Sequence, residues 1–192
     1  MKGINIFLED GFEDIEALAV SDALRRGGLK VSLVSCTSRK TVRSSHGVNV
    51  EADCLLEDVL NLVEDITDKD VMIFPGGMPG SRSLAECTPL IEAMRRHFEL
   101  GGTVAAICAA PGLVLSQLGS LQGYTMTCFD GFEQALIARG AKFVRRPVVR
   151  SGRIITGRSA GYAVDFGLRI LEAVSEPQAV EKVRGGMLLD IE

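Results

Sequence analysis

Residues 103–118 read TVAAICAAPGLVLSQL, and this stretch decides the fold. A short apolar run ends at Cys108, and a helix-like run begins directly after it. This is the outline of a nucleophile elbow, in which a strand turns sharply into a helix and carries a reactive side chain at the corner. Because the N–H groups and dipole of a helix N-terminus stabilise a thiolate, the pattern predicts a reactive Cys108. The alternative is a buried structural cysteine, since free cysteines are among the most buried residues.

Strand-like and helix-like segments alternate around this stretch, which predicts an α/β fold with a doubly wound, mainly parallel sheet and helices on both faces. The predicted strands cover residues 4–8, 30–35, 70–74, 104–107 and 124–128, with hairpins at 41–51 and 148–156. Besides the helix after Cys108, the predicted helices cover residues 12–26, 56–62, 81–86, 89–100, 133–139 and 163–174. No repeat or linker interrupts the pattern, so we predict a single domain over residues 1–192.

Composition excludes several classes of function. The net charge of −4 and the pI near 5.3 argue against general binding to nucleic acids or anionic membranes. No apolar run approaches the roughly 20 residues of a membrane span, and no signal peptide is evident, so we expect a cytoplasmic protein.

The number of cysteines is odd and their spacing is wide, which favours free thiols over disulfides or a zinc site. We predict no metal and no cofactor. The cysteines are Cys36, Cys54, Cys87, Cys108 and Cys128.

The ends of three predicted strands point to one crevice. In open parallel sheets, ligands bind beyond the carboxyl ends of the strands. Those ends carry residues 9–11 (EDG), residues 75–77 (PGG) and Cys108, and they face each other if the strands are neighbours. The glycine-rich loop at residues 75–80 can expose N–H groups to an anion or an oxyanion. The alternative is a simple tight turn, and the loop lacks the Gly-Lys-Ser/Thr of a P-loop.

One acid in the first helix differs from its neighbours. Glu13 and Asp14 fit the general preference for acids in the first turn of a helix. Glu16, in contrast, lies in the most apolar part of that helix. Burial raises the pKa of a carboxyl group and keeps it protonated. Glu16 can therefore exchange a proton with a thiol or a substrate.

The chain has only two histidines, which limits the mechanism. His97 lies in a charged helix and is expected on the surface, and His46 lies at a hairpin tip. No Cys-His-acid triad is therefore evident. Activation of Cys108 must come from its helix and from Glu16, unless His46 folds over the site or comes from a second subunit. Arg26 and Arg158 are candidate anion partners or solvated side chains, and Cys128 is a second pocket thiol or a buried spectator.

Together, four segments resemble the ThiJ/PfpI superfamily, also called class I glutamine amidotransferase-like. The similarity is strongest to the branch that contains bacterial YajL and the parkinsonism-associated deglycase, and it runs essentially from end to end. The segments are GFEDIE at residues 11–16, DVMIFPGG at 70–77, AAICAAP at 105–111, and ITGRSAG at 155–161 with DFGL at 165–168.

The resemblance implies a flavodoxin-like fold, a homodimer, and a Cys108 that is reactive and oxidisable with Glu16 as its protonated partner. It implies no cofactor. The activities it implies are cofactor-independent glyoxalase, which converts methylglyoxal to lactate, protein deglycation, and oxidative-stress sensing or chaperoning. It places Gly76, Gly77 and the N–H of Ala109 around the pocket. Candidates for the pocket or the dimer interface are Arg26, His46, Cys128 and Arg158.

Three positions depart from the family pattern. Cys128 stands where relatives with the best glyoxalase chemistry often carry a histidine. His46 stands where some relatives carry an arginine that reaches the pocket across the dimer. Ser159 and Ala160 replace a common Gly-Pro pair.

The residues and the resemblance together lead to one main prediction. We predict a glyoxalase or deglycase acting on a small reactive aldehyde or a glycated substrate, with Cys108 as nucleophile and Glu16 as proton partner. The alternative is a stress sensor or chaperone that works through oxidation of Cys108. An amidotransferase or peptidase is less favoured, because no histidine follows Cys108.

Overall fold

A computed structural model describes residues 1–61 and 65–189. The described strands are arranged in one large and two small sheets. They are β1 (Ile4–Leu8), β2 (Val31–Ser35), β3 (Thr41–Arg43), β4 (Asn49–Glu51), β5 (Cys54–Leu55), β6 (Val71–Phe74), β7 (Thr103–Ile107), β8 (Thr125–Met126), β9 (Lys142–Phe143), β10 (Val148–Ser151) and β11 (Ile154–Gly157). The large sheet has the order β10-β11-β7-β6-β1-β2-β5, and only β10 and β11 pair in the antiparallel sense.

Helices cover both faces of this sheet. They are α1 (Asp14–Arg26), α2 (Leu56–Val59), α3 (Gly80–Glu86), α4 (Thr88–Glu99), α5 (Ala110–Leu113), α6 (Glu133–Ala138), α7 (Ala163–Val174) and α8 (Pro177–Gly186). The cluster of buried side chains on one face includes residues of α1, α7 and α8, and the cluster on the other includes residues of α3, α4 and α5. Within the described residues, no helix combines the length and the apolar composition needed to cross a bilayer.

Strand β1 shows why the sheet is buried on both faces. All five of its residues are buried, with Ile4, Ile6 and Leu8 in one cluster and Phe7 in the other. Ile6 faces the α1 and α7 side, whereas Phe7 faces the other side and stacks on Phe74 of β6 at 5.4 Å between ring centroids. Continuous apolar runs of this kind are typical of parallel strands covered on both faces. The predicted α/β architecture is confirmed.

The order of the strands brings the predicted site together. Strands β1, β6 and β7 are direct neighbours in the sheet. Their carboxyl ends therefore place the loop after β1, the glycine-rich loop after β6 and Cys108 after β7 at one edge. Helix α1 ends at Arg26 as predicted, because Gly27 and Gly28 follow it, and Gly28 has φ of +82°.

Two predicted elements are shorter in the structure, and one helix was not predicted. The strand predicted at residues 124–128 is only β8, because Thr127 N–H bonds to the Thr156 hydroxyl and Phe129 N–H to the Cys108 carbonyl. The helix predicted at residues 56–62 is α2 alone, and Leu62 lies outside the described residues. Helix α8 was not predicted, although Pro177 marks its first turn.

The prediction that His97 lies on the surface is wrong. Its side chain is fully buried, and its ring nitrogen Nε2 lies 3.1 Å from the carbonyl of Asp70 and 3.0 Å from that of Thr103. Because carbonyls only accept hydrogen bonds, Nε2 carries the proton. Nδ1, 2.8 Å from the Met1 amine, is then the acceptor. His97 thus joins the amino ends of the central strands on the edge opposite the crevice.

Burial is the main reason that the pKa of His97 falls to about 4, and the positive Met1 amine lowers it further. An unfolded histidine has a pKa near 6.5, so between these values the unfolded chain binds a proton that the folded chain does not. Stability therefore falls as the pH falls through this window. In a protonated His97, Nδ1 would also become a donor and could no longer accept a hydrogen bond from the Met1 amine.

We expect the free energy of unfolding to decrease by about 2 kcal/mol between pH 7.5 and pH 5 through His97 alone. His97→Gln should flatten this slope, measured by urea unfolding at several pH values. His46→Gln is the matched control. The pKa of His46 is raised by its hydrogen bond with Asp14, so removing His46 should not flatten the acid slope. Equal slopes in wild type and His97→Gln would contradict the assignment.

Candidate active site

The backbone at Cys108 forms the predicted elbow. Cys108 directly follows β7 and has φ of +65°, a left-handed conformation that is uncommon outside glycine. Its N–H donates to the carbonyl of Gly157 at 3.0 Å, and its carbonyl accepts from the N–H of Phe129 at 2.8 Å. Both backbone groups are therefore occupied, and these bonds hold the strained residue in place. Helix α5 begins two residues later, with Pro111 in its first turn.

Glu16 is fixed by the first turn of α1. Its side chain is almost completely buried, with 1% of the residue exposed. Its N–H donates to Oε2 of Glu13, the N-cap residue, at 2.8 Å. Glu13 N–H donates to the Gly76 carbonyl at 3.0 Å, and Gly76 N–H donates to Glu16 Oε2 at 2.7 Å. The helix start and the glycine-rich loop are thus joined by two hydrogen bonds that run in opposite directions.

Gly76 lies between the carboxyl group and the thiol. A Cβ atom on Gly76 would lie 2.4 Å from Glu16 Oε2, 2.6 Å from Cys108 Cβ and 3.1 Å from Cys108 Sγ. Only a residue without a side chain leaves room for both groups. Gly77 has φ of +90°, and a Cβ there would lie 2.4 Å from Glu13 N. Close approach of the loop to α1 therefore requires glycine at both positions.

Burial dominates the electrostatics of the pair. It raises the pKa of Glu16 to about 7, against the N–H of Gly76, which lowers it. Burial and then the charge of Glu16 raise the pKa of Cys108 to about 12, although the N–H groups of Ala109 and Gly77 favour the thiolate. The N–H groups at the start of α5 act in the predicted direction, but α5 has only four residues and the desolvation of the thiol opposes them. Of the two groups, the Glu16 carboxyl is therefore the one that gains or loses a proton around neutral pH.

Two more predicted residues lie beside the elbow. Arg158 directly follows β11, next to Cys108 on the neighbouring strand, and its side chain is 19% exposed. Its Nη2 donates to Asp130 Oδ1 at 2.7 Å, while its buried Nη1 has no hydrogen-bond partner among the described residues. Cys128 is fully buried, and burial raises its pKa to about 12. The buried position fits the spectator role for Cys128.

The other two candidates lie farther from the thiol. Arg26 is in the last turn of α1 and pairs with Asp22 at 2.6 Å. Ten residues of helix separate it from Glu16, which is about 15 Å along the axis. The described chain therefore does not bring Arg26 to Cys108, and its role at an interface stays a prediction. His46 bonds to Asp14 at the start of α1, and not to Cys108.

Sequence reasoning missed the parts that Glu13 and Asp14 play. Both were assigned only a helix-dipole role, but Glu13 caps α1 and bonds to the glycine-rich loop. Asp14 binds His46, which is 32 residues away, and no local sequence pattern predicts such a contact. The capping role had a signal, because an acid three residues before Glu16 can accept its N–H.

Comparison with known proteins agrees with this geometry. Residues 2–173 match the DJ-1/PfpI family. The chain belongs to the DJ-1/PfpI family. A solved family structure, Toxoplasma gondii DJ-1 in oxidized form, superposes with a TM-score of 0.87 at 30% sequence identity and covers 98% of both chains. The predicted flavodoxin-like fold and the predicted family resemblance are confirmed.

Curated members of the DJ-1/PfpI family show the same relationship in sequence. Protein DJ-1 homolog A of Arabidopsis thaliana is 33% identical over 98% of this chain. The chain spans about half the length of this relative, 47%. Glutathione-independent glyoxalase DJR-1.2 of Caenorhabditis elegans is 34% identical over 86% of this chain and 84% of its own length.

Gly76→Ala should destabilise the protein, because the new methyl group must push Glu16 and Cys108 apart. We expect the free energy of unfolding in urea to fall by about 1–3 kcal/mol, as in other overpacked sites. Gly161→Ala is the matched control, since a Cβ there meets nothing within 4 Å. The control should change stability by no more than about 0.5 kcal/mol. If the two variants behave alike, Gly76 does not separate the two groups.

Proposed function

We propose that this DJ-1/PfpI protein is a cysteine-dependent, cofactor-independent glyoxalase-type enzyme that acts on reactive aldehydes such as methylglyoxal. Removal of such aldehydes from glycated groups is the related deglycase reaction. The observation that carries the proposal is the packing of the buried Glu16 carboxyl and the Cys108 thiol against Gly76. The relative named as a glyoxalase adds support. A reducing cytoplasm suits its five free thiols.

The first step is addition of the thiol to the aldehyde. Cys108 Sγ forms a bond to the aldehyde carbon, and the thiol proton passes to the Glu16 carboxylate. Because burial raises the pKa of Glu16 to about 7, both its acid and its base forms are populated at neutral pH. The carbonyl oxygen gains negative charge, which the N–H groups of Gly77 and Ala109 can stabilise before the oxygen is protonated.

The second step moves a proton between adjacent carbons. The resulting hemithioacetal carries a ketone on the next carbon. Glu16 removes the proton from the sulfur-bearing carbon and returns one to the former ketone carbon. The hydroxyl proton of the hemithioacetal moves to the former ketone oxygen, which gives a thioester of the hydroxy acid. Water then cleaves the thioester, releases lactate and restores the Cys108 thiol. The overall change adds one water to methylglyoxal and needs no external oxidant or reductant.

A second candidate function is sensing of oxidants by Cys108. Its thiol is partly exposed beside a carboxyl group that can donate a hydrogen bond to an oxidised sulfur. Two molecules of hydrogen peroxide convert the thiol to a sulfinic acid and are reduced to water. The related Toxoplasma structure is described as oxidized. An amidotransferase or peptidase role has less support, because His46 bonds to Asp14 and His97 to the Asp70 carbonyl, and neither bonds to Cys108.

Lactate production from methylglyoxal, without added glutathione, tests the enzyme proposal. Cys108→Ser should abolish activity, because it removes the nucleophile. Glu16→Gln should lower it by about 100-fold or more, because it removes the proton carrier. Cys54→Ser, a partly exposed thiol outside the site, is the matched control and should keep wild-type activity.

Inactive wild-type protein would contradict the enzyme proposal. Peroxide titration followed by peptide mass spectrometry then separates the remaining options. Oxidation of Cys108 before the other four thiols supports the sensor. Oxidation spread evenly over the five cysteines overturns it.

We further propose that the chain forms a homodimer through the outer face of α1. Ile15 and Leu18 lie on this face with 54% and 37% of their surfaces exposed, and Val48 of the neighbouring hairpin is 46% exposed. Exposed apolar side chains that cluster on one surface are typical of protein interfaces. The backbone bond from Ser45 N–H to the Phe12 carbonyl places the hairpin beside the start of α1.

Leu18→Glu should convert the dimer to a monomer, because it buries an unpaired charge in the proposed interface. Light scattering after size-exclusion chromatography measures the mass directly. Ile137→Glu is the matched control, since Ile137 is 45% exposed on α6, and it should remain dimeric. Wild-type protein that elutes as a monomer would contradict the dimer proposal.

A further inference from the structure

Three side chains near the crevice bring metal-ligating atoms together. Glu13, Asp14 and His46 each offer one such atom, and all three atoms lie within 4.8 Å of one another. His46 Nδ1 is 2.5 Å from Asp14 Oδ2 and 4.0 Å from Glu13 Oε1. We propose that these residues bind a divalent transition-metal ion such as Zn²⁺ beside the start of α1.

The charge of the three residues suits a dication. The side chains of Glu13 and Asp14 are 13% and 15% exposed, whereas His46 is 68% exposed. Two carboxylates with a protonated imidazole still carry a net charge of −1. A dication bound by two carboxylates and a neutral imidazole brings the sum to zero. Carboxylates with so little exposure are normally paired or bound to metals.

The backbone that carries His46 is held in place. Gly11 N–H donates to the Arg43 carbonyl at 2.7 Å, and Ser45 N–H donates to the Phe12 carbonyl at 2.8 Å. These bonds fasten the β3–β4 hairpin to the loop before α1. His46 follows Ser45 directly, so its ring is presented to the helix start without a folding step. Sites built on fixed segments bind with less loss of entropy.

The two carboxylates are oriented by other contacts. Glu13 uses Oε2 to accept the N–H of Glu16 at 2.8 Å, which leaves Oε1 on the side of His46. Asp14 uses Oδ1 to accept the Ser44 hydroxyl, which leaves Oδ2 for His46. Each carboxylate therefore has one oxygen directed toward His46 Nδ1, where the metal ion would bind. Such supporting bonds orient the ligands of known metal sites.

The ligand set selects the class of metal. Zinc binds histidine nitrogen at about 2.0–2.1 Å and carboxylate oxygen at about 2.0–2.2 Å, so ligand atoms on a tetrahedral ion lie about 3.3 Å apart. The present separations of 2.5 and 4.0 Å lie on either side of that value. A small rotation of the His46 side chain, which is exposed in the single chain, closes the difference. An imidazole ligand favours Zn²⁺, Cu²⁺ or Ni²⁺ over Mg²⁺ or Ca²⁺.

Zinc titration of the full chain, in competition with a chromogenic chelator, tests the proposal. Wild type and Cys108→Ser should both bind one ion per chain at the site, because the thiol is not a ligand. His46→Ala should weaken binding by at least about tenfold. Asp22→Asn changes an exposed acid on the same helix outside the site, and it should bind as wild type does.

Histidine NMR gives a second readout that does not depend on affinity. Zinc should shift the ring signals of His46 and leave those of His97 unchanged, because the His97 ring is buried with both nitrogens occupied. Absence of zinc binding, or zinc binding that survives His46→Ala unchanged, overturns the proposal. Binding that is lost in Cys108→Ser assigns the ion to the thiol instead. Since no aldehyde is present, these outcomes are independent of the glyoxalase assay.

Discussion

The hydrogen bond from Gly76 N–H to the buried Glu16 carboxyl is the contact on which the crevice depends. It is 2.7 Å long, and it links the loop after β6 to the first turn of α1. The return bond from Glu13 N–H to the Gly76 carbonyl makes the link rigid. With the loop held there, Cys108 packs against Gly76, which also accepts the bond from Glu13. One glycine therefore sets the distance between the carboxyl group and the thiol.

Desolvation gives the pair its chemical character. A helix N-terminus would favour a thiolate on its own, but burial raises the pKa of both Glu16 and Cys108. The thiol is therefore not an isolated acid, and its proton must be exchanged with the neighbouring carboxyl. The proposed aldehyde chemistry needs this exchange twice, first on addition and then during the shift between carbons. The site supplies one mobile proton, because two negative charges side by side in a buried crevice are unfavourable.

Much of the fold could be predicted from the sequence, because its signals are local. Apolar runs predict the strands, and the glycines after Arg26 predict the end of α1. The elbow at Cys108 and the alternation of strands and helices predict that three strand ends meet at one crevice. Glu16 could be predicted because a carboxyl among apolar residues stands out. The burial of His97 could not, because its partners Asp70 and Thr103 come from other strand ends. The contact of Asp14 with His46 is equally hidden, since only the folded hairpin brings them together.

The left-handed backbone at Cys108 has a consequence for how the protein can change. Glycine would adopt φ of +65° without strain, whereas cysteine is held there by bonds to Gly157 and Phe129. Random substitution with selection for thermal stability alone would therefore favour glycine at position 108, which relieves the strain but removes the thiol. A search for stabilised variants would have to select for the thiol at the same time. The elbow thus marks a position where stability and reactivity favour different amino acids.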